Sequence, residues 1–335
     1  MKKVMLGDGL EVSALGFGGM ALTPVYGEVD ATEALATLHH AVDSGVTFID
    51  TANIYGGGSN EELIAKLLAD RREEVQLATK FGLVGSPASG YSDIRGDREH
   101  VHQAVDASLA RLGTDSIDLL YMHRRDVRVP IEETVDAMAG LVTAGKVRHL
   151  GLSEVTAGEL RAACEVHPIA AVQSEWSIWS RDVERHVVPA AAALGVGMVP
   201  YSPLGRGFLT GTVHAADLGA GDFRHNIPRF APNALAANQD VVDAVQEVAA
   251  ELSQSSGSTV TAAQVALAWL FAQAKTCNVA VVPIPGTRKA SRVDENAGSL
   301  TLELTPAQRE RLAKAGAAVV GFRAADPAWV SQGRE

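Results

Sequence analysis

Short apolar runs alternate with amphipathic stretches along most of the chain. The runs have the length and composition of buried strands, and they cover residues 13–18, 46–50, 75–80, 117–123, 147–153, 169–175, 196–202 and 279–286. Apolar positions with helical spacing lie between them and predict helices over residues 30–44, 60–70, 97–112, 131–144, 156–166, 182–194 and 261–273. This alternation implies parallel strands joined by right-handed crossovers. Eight such units favour a closed α/β (β/α)8 barrel, the TIM barrel, over an open sheet.

Two segments depart from this rhythm. The start of the chain predicts a short β-hairpin that turns at residues 7–9 and closes the bottom of the barrel. Residues 203–260 separate strands seven and eight by a long loop and an extra helix near 238–254, and insertions of this kind usually shape a ligand site. Within the insertion, residues 253–259 indicate a flexible joint. We therefore expect the whole chain, residues 1–335, to form one barrel domain.

Capping and helix-breaking residues refine these assignments. Asp97 and Thr156 are predicted N-caps of the third and fifth helices, and Pro130 is predicted to open the fourth. The glycine pattern GFGGMA at 16–21 fits a permissive dinucleotide-binding fingerprint, but Pro24 interrupts the helix that such a motif should open. We assign this pattern to the end of the first strand.

Side chains that carry charge or a proton follow three of the apolar runs. Asp50 ends the second, Lys80 ends the third and His123 ends the fourth, while Tyr55 follows the second. These strands are neighbours, so the four side chains should converge at the carboxyl edge of the barrel. Free tyrosine titrates near pH ~10, and a nearby ammonium favours the phenolate. The set therefore predicts proton delivery by Tyr55, with Lys80 held by Asp50 and His123 donating to a carbonyl oxygen. The alternative is an ordinary turn beside a structural ion pair.

Several ordered segments resemble the aldo-keto reductase superfamily. They are FIDTANIYGGGSNE, LATKFG, YMHR, AVQSEWSIWSR, VPYSPLGRGFLTG and VPIPGTRKASRVDEN. The resemblance spans about residues 10–316, and the bacterial-type branch with PYSPLGRGFL is the most similar. It implies the barrel fold, the same roles for the four side chains above, and a nicotinamide cofactor that supplies hydride to a carbonyl carbon.

By this resemblance, Ser153, Glu154 and Gln173 lie where the nicotinamide carboxamide would be held. The family more often has Ser-Asn where this chain has Ser-Glu, and an ionised glutamate can only accept hydrogen bonds. Trp176 occupies a position whose aromatic ring, more usually tyrosine, stacks on the nicotinamide; a core tryptophan is the alternative. Glu295 and Asn296 match the adenine-side pair of the family.

The loops after strands seven and eight suit phosphate groups. The first, with small residues and backbone N–H groups that can approach a pyrophosphate, contains Tyr201, Ser202, Pro203, Leu204, Gly205 and Gly207. The second, with three cations within five positions, contains Gly286, Thr287, Arg288, Lys289 and Arg292. Barrels often bind phosphate at these loops, and the cations favour NADPH over NADH. The alternatives are a glycine turn opening a lid and a solvated helix start.

Walls of a substrate pocket are inferred from loop position. The candidates are Met20, Leu22, Tyr26, Phe81, Trp176, Trp179, Arg125, residues 208–236, Phe322 and Trp329. Such walls suit aromatic or medium-chain aldehydes. Arg124 directly follows His123, so it either binds an anionic group of the substrate or pairs with Asp126 or Glu175.

Composition limits the remaining classes of function. The chain has 335 residues, 47% hydrophobic, a formal net charge of −11 and a pI of about 5.4. This acidity argues against nucleic acid or an anionic membrane as a partner. Cys164 and Cys277 form no metal-binding motif, so we expect no metal site and no disulfide framework. Since no apolar run approaches the ~18 residues of a membrane span, we expect a cytoplasmic protein.

These features predict an NADPH-dependent reductase of small-molecule aldehydes and ketones. One alternative is a cofactor-binding regulatory subunit of the channel-associated kind, with little turnover. Another is a different barrel enzyme, such as an isomerase, which would need no nicotinamide. The sequence does not select the physiological substrate, the reaction direction or the oligomeric state.

Overall fold

The computed structural model describes residues 1–86, 90–214, 218–219 and 221–335. Its strands are β1 (Lys3–Met5), β2 (Glu11–Ser13), β3 (Gly16–Gly18), β4 (Phe48–Asp50), β5 (Gln76–Phe81), β6 (Leu83–Ser86), β7 (Gly90–Ile94), β8 (Ile117–Met122), β9 (Val147–Ser153), β10 (Ala171–Glu175) and β11 (Gly197–Tyr201). Its helices are α1 (Ala31–Asp43), α2 (Ser59–Arg71), α3 (Arg98–Leu112), α4 (Ile131–Thr143), α5 (Ala157–Val166), α6 (Val187–Leu194), α7 (Pro232–Ala237), α8 (Gln239–Ser256), α9 (Ala262–Thr276), α10 (Ala290–Gly298) and α11 (Pro306–Ala317).

Parallel strands form a closed (β/α)8 barrel, as the sequence predicts. The order is β3, β4, β5, β8, β9, β10 and β11, with neighbours hydrogen-bonded in parallel. The predicted eighth strand closes the ring as an extended segment at 280–285. On one side the Met198 N–H donates to Ala280 O at 2.8 Å, and on the other the Gly16 N–H donates to Pro283 O at 2.9 Å. Proline has no N–H, so this segment makes fewer ladder bonds than a regular strand.

Glycines let the closing segment approach the first barrel strand. A Cβ atom on Gly18 would lie 2.6 Å from Ile284 O, and one on Gly286 would lie 2.4 Å from Gly18 O. Larger residues at these positions would push the strands apart. The glycine pattern at 16–21 therefore serves strand packing, and a short 3-10 turn at Gly19–Leu22 follows it in place of a long helix.

The N-terminal hairpin plugs the bottom of the barrel, in agreement with the sequence-based prediction. Strands β1 and β2 pair antiparallel, and the Gly7 N–H at their turn donates to Ala170 O at 2.8 Å, next to the start of β10. Leu6 and Leu10 pack in one buried cluster with the interior side chains Phe48 and Leu119. Burial of these apolar side chains anchors the hairpin.

Predicted and observed helices agree in place, with differences at their ends. Thr156 forms a complete capping box with Glu159, and Asp97 caps α3 through its side chain. Pro130 is the N-cap of α4 and not its first residue. The α8 helix continues to Ser256, so most of the expected joint at 253–259 is helical.

Several described elements were not predicted from the sequence. They are the hairpin of β6 and β7, the short helix α7 and the C-terminal helix α11. In the two helices the apolar periodicity is weak, because most of their side chains are exposed or only partly buried. Among the described residues, no helix combines the length and the apolar character needed to cross a bilayer.

Candidate active site

The four predicted catalytic side chains, here called the tetrad, come together where the barrel strands end. Asp50 ends β4, Lys80 lies in β5 and His123 directly follows β8. Tyr55 begins a short 3-10 turn after β4. Lys80 Nζ lies 2.5 Å from Asp50 Oδ1 and 3.4 Å from the Tyr55 hydroxyl oxygen. The parallel topology thus produces the convergence that strand ends alone suggested.

All three donors of the Lys80 ammonium have an acceptor. Besides Asp50 and Tyr55, the backbone oxygen of Thr51 accepts from Nζ at 2.7 Å. The other Asp50 oxygen, Oδ2, accepts from Gln173 Nε2 at 2.8 Å. Lys80 has therefore one preferred position, in which an N–H points at the phenol oxygen.

Burial opposes the charges of this ion pair. Asp50 is 2% exposed and Lys80 0%. Desolvation raises the pKa of Asp50 and lowers the pKa of Lys80, while their mutual attraction and hydrogen bond act in the opposite direction. A lysine with a lowered pKa gives up or shares its proton more readily than a lysine in water. Within this pair, each charge therefore depends on its partner.

His123 is held as a neutral imidazole. Its ring is 6% exposed and lies edge-on to Tyr55, with ring centroids 5.8 Å apart. Burial, together with the charges of Arg124 and Lys80, holds the pKa of His123 well below its usual range. Its Nδ1 is buried without a hydrogen-bond partner. Neutral imidazole has one N–H, which a substrate oxygen beside Tyr55 can accept.

The catalytic residues stand at one part of a large cavity. Its volume is about 1120 Å³, and Asp50, Tyr55 and His123 line it. Most of the predicted cofactor residues also line it: Gln173, Tyr201, Ser202, Pro203, Leu204, Gly207, Gly286, Thr287, Arg288, Lys289, Arg292, Glu295 and Asn296. The loops after β11 and after the closing segment thus share one cavity with the tetrad.

Two predicted cofactor residues lie behind the cavity wall. Ser153 is fully buried and its hydroxyl accepts from Arg124 Nη1 at 3.3 Å. Gly205 is also buried, has φ +60°, and a Cβ there would lie 2.8 Å from the Trp179 ring. Gly205 therefore permits the turn of the loop and does not itself face the cavity.

Trp176 lies in the core and not on the cavity wall. Its side chain is 0% exposed, and its indole N–H donates to Glu184 Oε1 at 3.0 Å. The chain leaves the barrel edge after β10 and directs this side chain outward into the apolar layer beneath the helices. The structure thus supports the core alternative. Among the predicted cofactor residues, Tyr201 places an aromatic ring on the cavity wall.

Glu154 is fully occupied by contacts within the protein. Its carboxylate accepts from Arg323 at 2.8 and 2.9 Å, from the Tyr201 hydroxyl at 2.8 Å and from the Ser331 N–H at 3.0 Å. Although burial opposes its charge, Arg323 holds the pKa of Glu154 well below its usual range. A saturated carboxylate has no capacity left for a carboxamide. Here Glu154 instead anchors the C-terminal tail.

The three cations after the closing segment differ in their availability. Arg288 supports a loop, because its Nε donates to Ala21 O at 2.9 Å and its Nη1 to Glu28 O at 2.9 Å. Both bonds fix the loop after β3, so this guanidinium is committed. Lys289 and Arg292 line the cavity, are exposed, and form no ion pair with any residue that the structure describes. These two side chains remain available to a bound anion.

Other charged side chains on the wall were not singled out from the sequence. Arg206 lies 3.3 Å from Glu175 and 3.3 Å from the Tyr26 hydroxyl, and Arg323 reaches the wall from the C-terminal tail. The sequence could have indicated Arg206 as a cavity residue, because this cation lies between two glycines of the loop after strand seven. No local pattern indicated Arg323, since its partners Glu154 and Asp182 are distant in sequence.

Some of the inferred pocket walls face the cavity and others do not. Met20, Tyr26, Arg124 and Trp329 line it, as do parts of the 208–236 insertion. Three other candidates are buried in the packed interior, namely Leu22, Phe81 and Trp179. Within the described part of the chain, no three His, Cys, Asp or Glu side chains are grouped so as to hold a metal ion.

Comparison with known proteins agrees with this geometry. The model of the aldo/keto reductase family matches residues 14–317. Among solved structures, the glycerol dehydrogenase AKR11B4 from Gluconobacter oxydans is 27% identical with a TM-score of 0.79, and the match covers 95% of this chain and 96% of that one.

Two further structures are similar over almost the whole chain. The aldo-keto reductase AKR11C1 from Bacillus halodurans, in its holo form, is 26% identical with a TM-score of 0.74, covering 94% of this chain and 96% of that one. An aldo/keto reductase from Klebsiella pneumoniae, in complex with NADP and acetate, is 25% identical with a TM-score of 0.67, covering 94% and 95%. The chain therefore belongs to the aldo/keto reductase family of nicotinamide-dependent oxidoreductases.

Proposed function

We propose that this protein reduces aldehydes and ketones to alcohols with NADPH, and that Tyr55 supplies the proton. The observation that carries the proposal is the position of Lys80, whose Nζ is 3.4 Å from the Tyr55 oxygen and 2.5 Å from Asp50. This chain of contacts ends in a cavity large enough for a cofactor and a small substrate.

Each member of the tetrad has a distinct task in this reaction. As negative charge develops on the substrate oxygen, Tyr55 gives it a proton and becomes a phenolate. Lys80 stabilises that phenolate, and Asp50 holds Lys80 in place. His123, neutral because of its lowered pKa, donates a hydrogen bond to the same substrate oxygen. A bound reduced nicotinamide would supply the hydride to the carbonyl carbon.

The cavity offers donors and surfaces that fit a dinucleotide. The Tyr201 ring and the Gln173 amide lie at the tetrad end, where they suit a flat ring with a carboxamide. In the loop after β11, the N–H groups of Gly205 and Gly207 already donate to Ser202 O and Leu204 O, so the N–H groups of Ser202 and Leu204 are the ones that suit the pyrophosphate. Lys289 and Arg292 carry charge that no described carboxylate neutralises, which suits a 2′-phosphate.

The test is a panel of aromatic and aliphatic aldehydes and ketones, assayed with NADPH and with NADH. Consumption of the reduced cofactor is followed by absorbance, and the alcohol is identified by chromatography. We expect turnover with several aldehydes and a higher kcat/KM with NADPH. Tight NADPH binding without turnover on any carbonyl would favour a regulatory role, and absence of NADPH binding would refute the proposal.

A further inference from the structure

Arg124 stands beside the catalytic residues, and no described carboxylate lies within ion-pair distance of it. It directly follows His123 and lines the same cavity as Tyr55. Its guanidinium carbon lies 5.9 Å from the centre of the Tyr201 ring. The residue therefore places a permanent positive charge where a carbonyl substrate would bind.

The hydrogen bonds of Arg124 reach only neutral acceptors. Its Nη1 donates to His123 O at 2.7 Å and to Ser153 Oγ at 3.3 Å. Its Nε is buried with no hydrogen-bond partner. In the described parts of the chain, Arg124 forms no ion pair. The side chain as a whole is only partly buried and lines the cavity, so an anionic group in the cavity can reach the guanidinium although Nε itself is inaccessible.

The carboxylates that the sequence offered to Arg124 are used elsewhere. Asp126 accepts from Arg128 at 2.8 Å. Glu175 lies 3.3 Å from Arg206 and 3.8 Å from Arg229. Neither therefore balances the charge of Arg124.

Two other arginines of the cavity wall are paired with carboxylates. Arg323 is paired with Glu154 at 2.8 Å, and Arg224 with Asp222 at 2.6 Å. Arg124 differs from them in having no carboxylate partner among the described residues. On a chain whose net charge is −11, this local positive charge is not a general property of the surface.

We propose that Arg124 binds a carboxylate on the substrate, so that the preferred substrates are aldehydes or ketones that also carry a carboxylate. The inference deepens the reductase function proposed above and rests on it. The phosphates of the cofactor are assigned to the loops at 201–207 and 286–296, so they do not compete for this residue. A guanidinium is a planar donor whose fork matches a carboxylate.

The experiment compares 4-carboxybenzaldehyde with its neutral amide analogue, 4-formylbenzamide, in wild type, Arg124→Gln and Arg124→Lys. The measured quantity is the ratio of the two kcat/KM values. We expect the wild type to prefer the carboxylate, and Arg124→Gln to lower that ratio by roughly 10- to 100-fold, the range for a charge-assisted hydrogen bond. Arg124→Lys should recover part of the ratio because it restores the charge.

The ratio separates substrate recognition from chemistry. If the substitution disturbs His123 or hydride transfer, it lowers kcat/KM for both aldehydes alike, and the effect cancels in their ratio. The control is Arg148→Gln, an exposed arginine paired with Asp118 away from the cavity, and it should keep the wild-type ratio. An unchanged ratio in Arg124→Gln, with both aldehydes still reduced, would overturn the inference and leave the reductase function standing.

A binding measurement gives a readout that needs no turnover. Titration of 4-(hydroxymethyl)benzoate and of 4-(hydroxymethyl)benzamide into the protein with NADP⁺ should show tighter binding of the carboxylate to wild type only. Equal binding of the two compounds would contradict the inference. Loss of NADPH affinity in Arg124→Gln, with the ratio unchanged, would assign Arg124 to the cofactor instead.

Discussion

At the scale of single residues, function depends on which partners a side chain already has. Lys80 and Asp50 are both buried and each is fully engaged, and this arrangement directs one N–H at Tyr55. Arg288 is engaged by backbone oxygens and is therefore withdrawn from ligand binding. The sequence alone does not show which of these two cations is available to a ligand, because each simply follows a threonine.

Replacing Tyr55 by Phe should abolish proton delivery while keeping the shape of the site. We expect kcat to fall by about 10²–10⁴, the usual contribution of a general acid, with cofactor affinity nearly unchanged in a fluorescence titration. The control is Tyr121→Phe, which removes a fully buried hydroxyl whose ring lies 6.0 Å from Lys80 Nζ. Normal turnover in Tyr55→Phe would show that another group delivers the proton.

Replacing Arg292 by Ala should weaken NADPH binding selectively. The loss of one charge-assisted contact with a 2′-phosphate should amount to roughly 1.5–3 kcal/mol, whereas NADH should be affected much less. Calorimetric titration of both cofactors measures the difference. Arg161→Ala, an exposed arginine on α5, is the control. Equal losses for the two cofactors would exclude a 2′-phosphate contact.

At the scale of elements, the C-terminal tail is part of the active-site wall. Arg323 joins the tail to Glu154 after β9 and to Asp182, with the latter contact at 2.9 Å. Ser331 adds its N–H to the same carboxylate. Glu154 has φ +53°, a conformation that a non-glycine residue adopts only when its surroundings hold it there. The tail therefore docks through one buried polar cluster.

Replacing Glu154 by Gln should destabilise the protein at neutral pH. Removing one partner of a buried ion pair costs about 3–5 kcal/mol in the free energy of unfolding, because Arg323 then keeps only its ion pair with Asp182. Urea denaturation measures this loss. The control is Glu251→Gln, whose partially exposed pair with Arg311 should contribute about 1 kcal/mol or less. Equal effects of the two substitutions would contradict a structural role for the tail cluster.

The difference in unfolding free energy between wild type and Glu154→Gln should depend on pH with a definite sign. The pKa of Glu154 is lowered in the folded protein, so its stabilising contribution is complete above the unfolded-state pKa, about 4.3 for glutamate. It is lost progressively as the pH falls below that value toward the folded-state pKa. The gap in unfolding free energy between wild type and Glu154→Gln should therefore narrow on acidification. A gap that widened would show that Glu154 is protonated at neutral pH.

At the scale of the whole molecule, the barrel brings residues from most of the chain to one cavity. The wall includes Gly18 near the start and Val330 near the end. Closure through the segment at 280–285 places the loops after strands seven and eight beside the first strand. Proximity of this kind follows from the topology of a closed ring.

The sequence by itself determined the barrel and the tetrad. Strand and helix periodicity is a local property, and a polar residue at the end of an apolar strand has its place fixed by the parallel topology. Asp50, Tyr55, Lys80 and His123 could therefore be predicted to converge.

Only the tertiary structure decided which polar side chains remain available to ligands. The carboxylate of Glu154 is paired with Arg323, which lies 169 positions away. The side chain of Trp176 is buried in the core. Arg124 forms no ion pair with a described residue, because Asp126 and Glu175 pair with other arginines. Hydrogen-bond capacity is finite, and competition for it takes place between residues that are distant along the chain. That competition becomes visible only when the fold has brought them together.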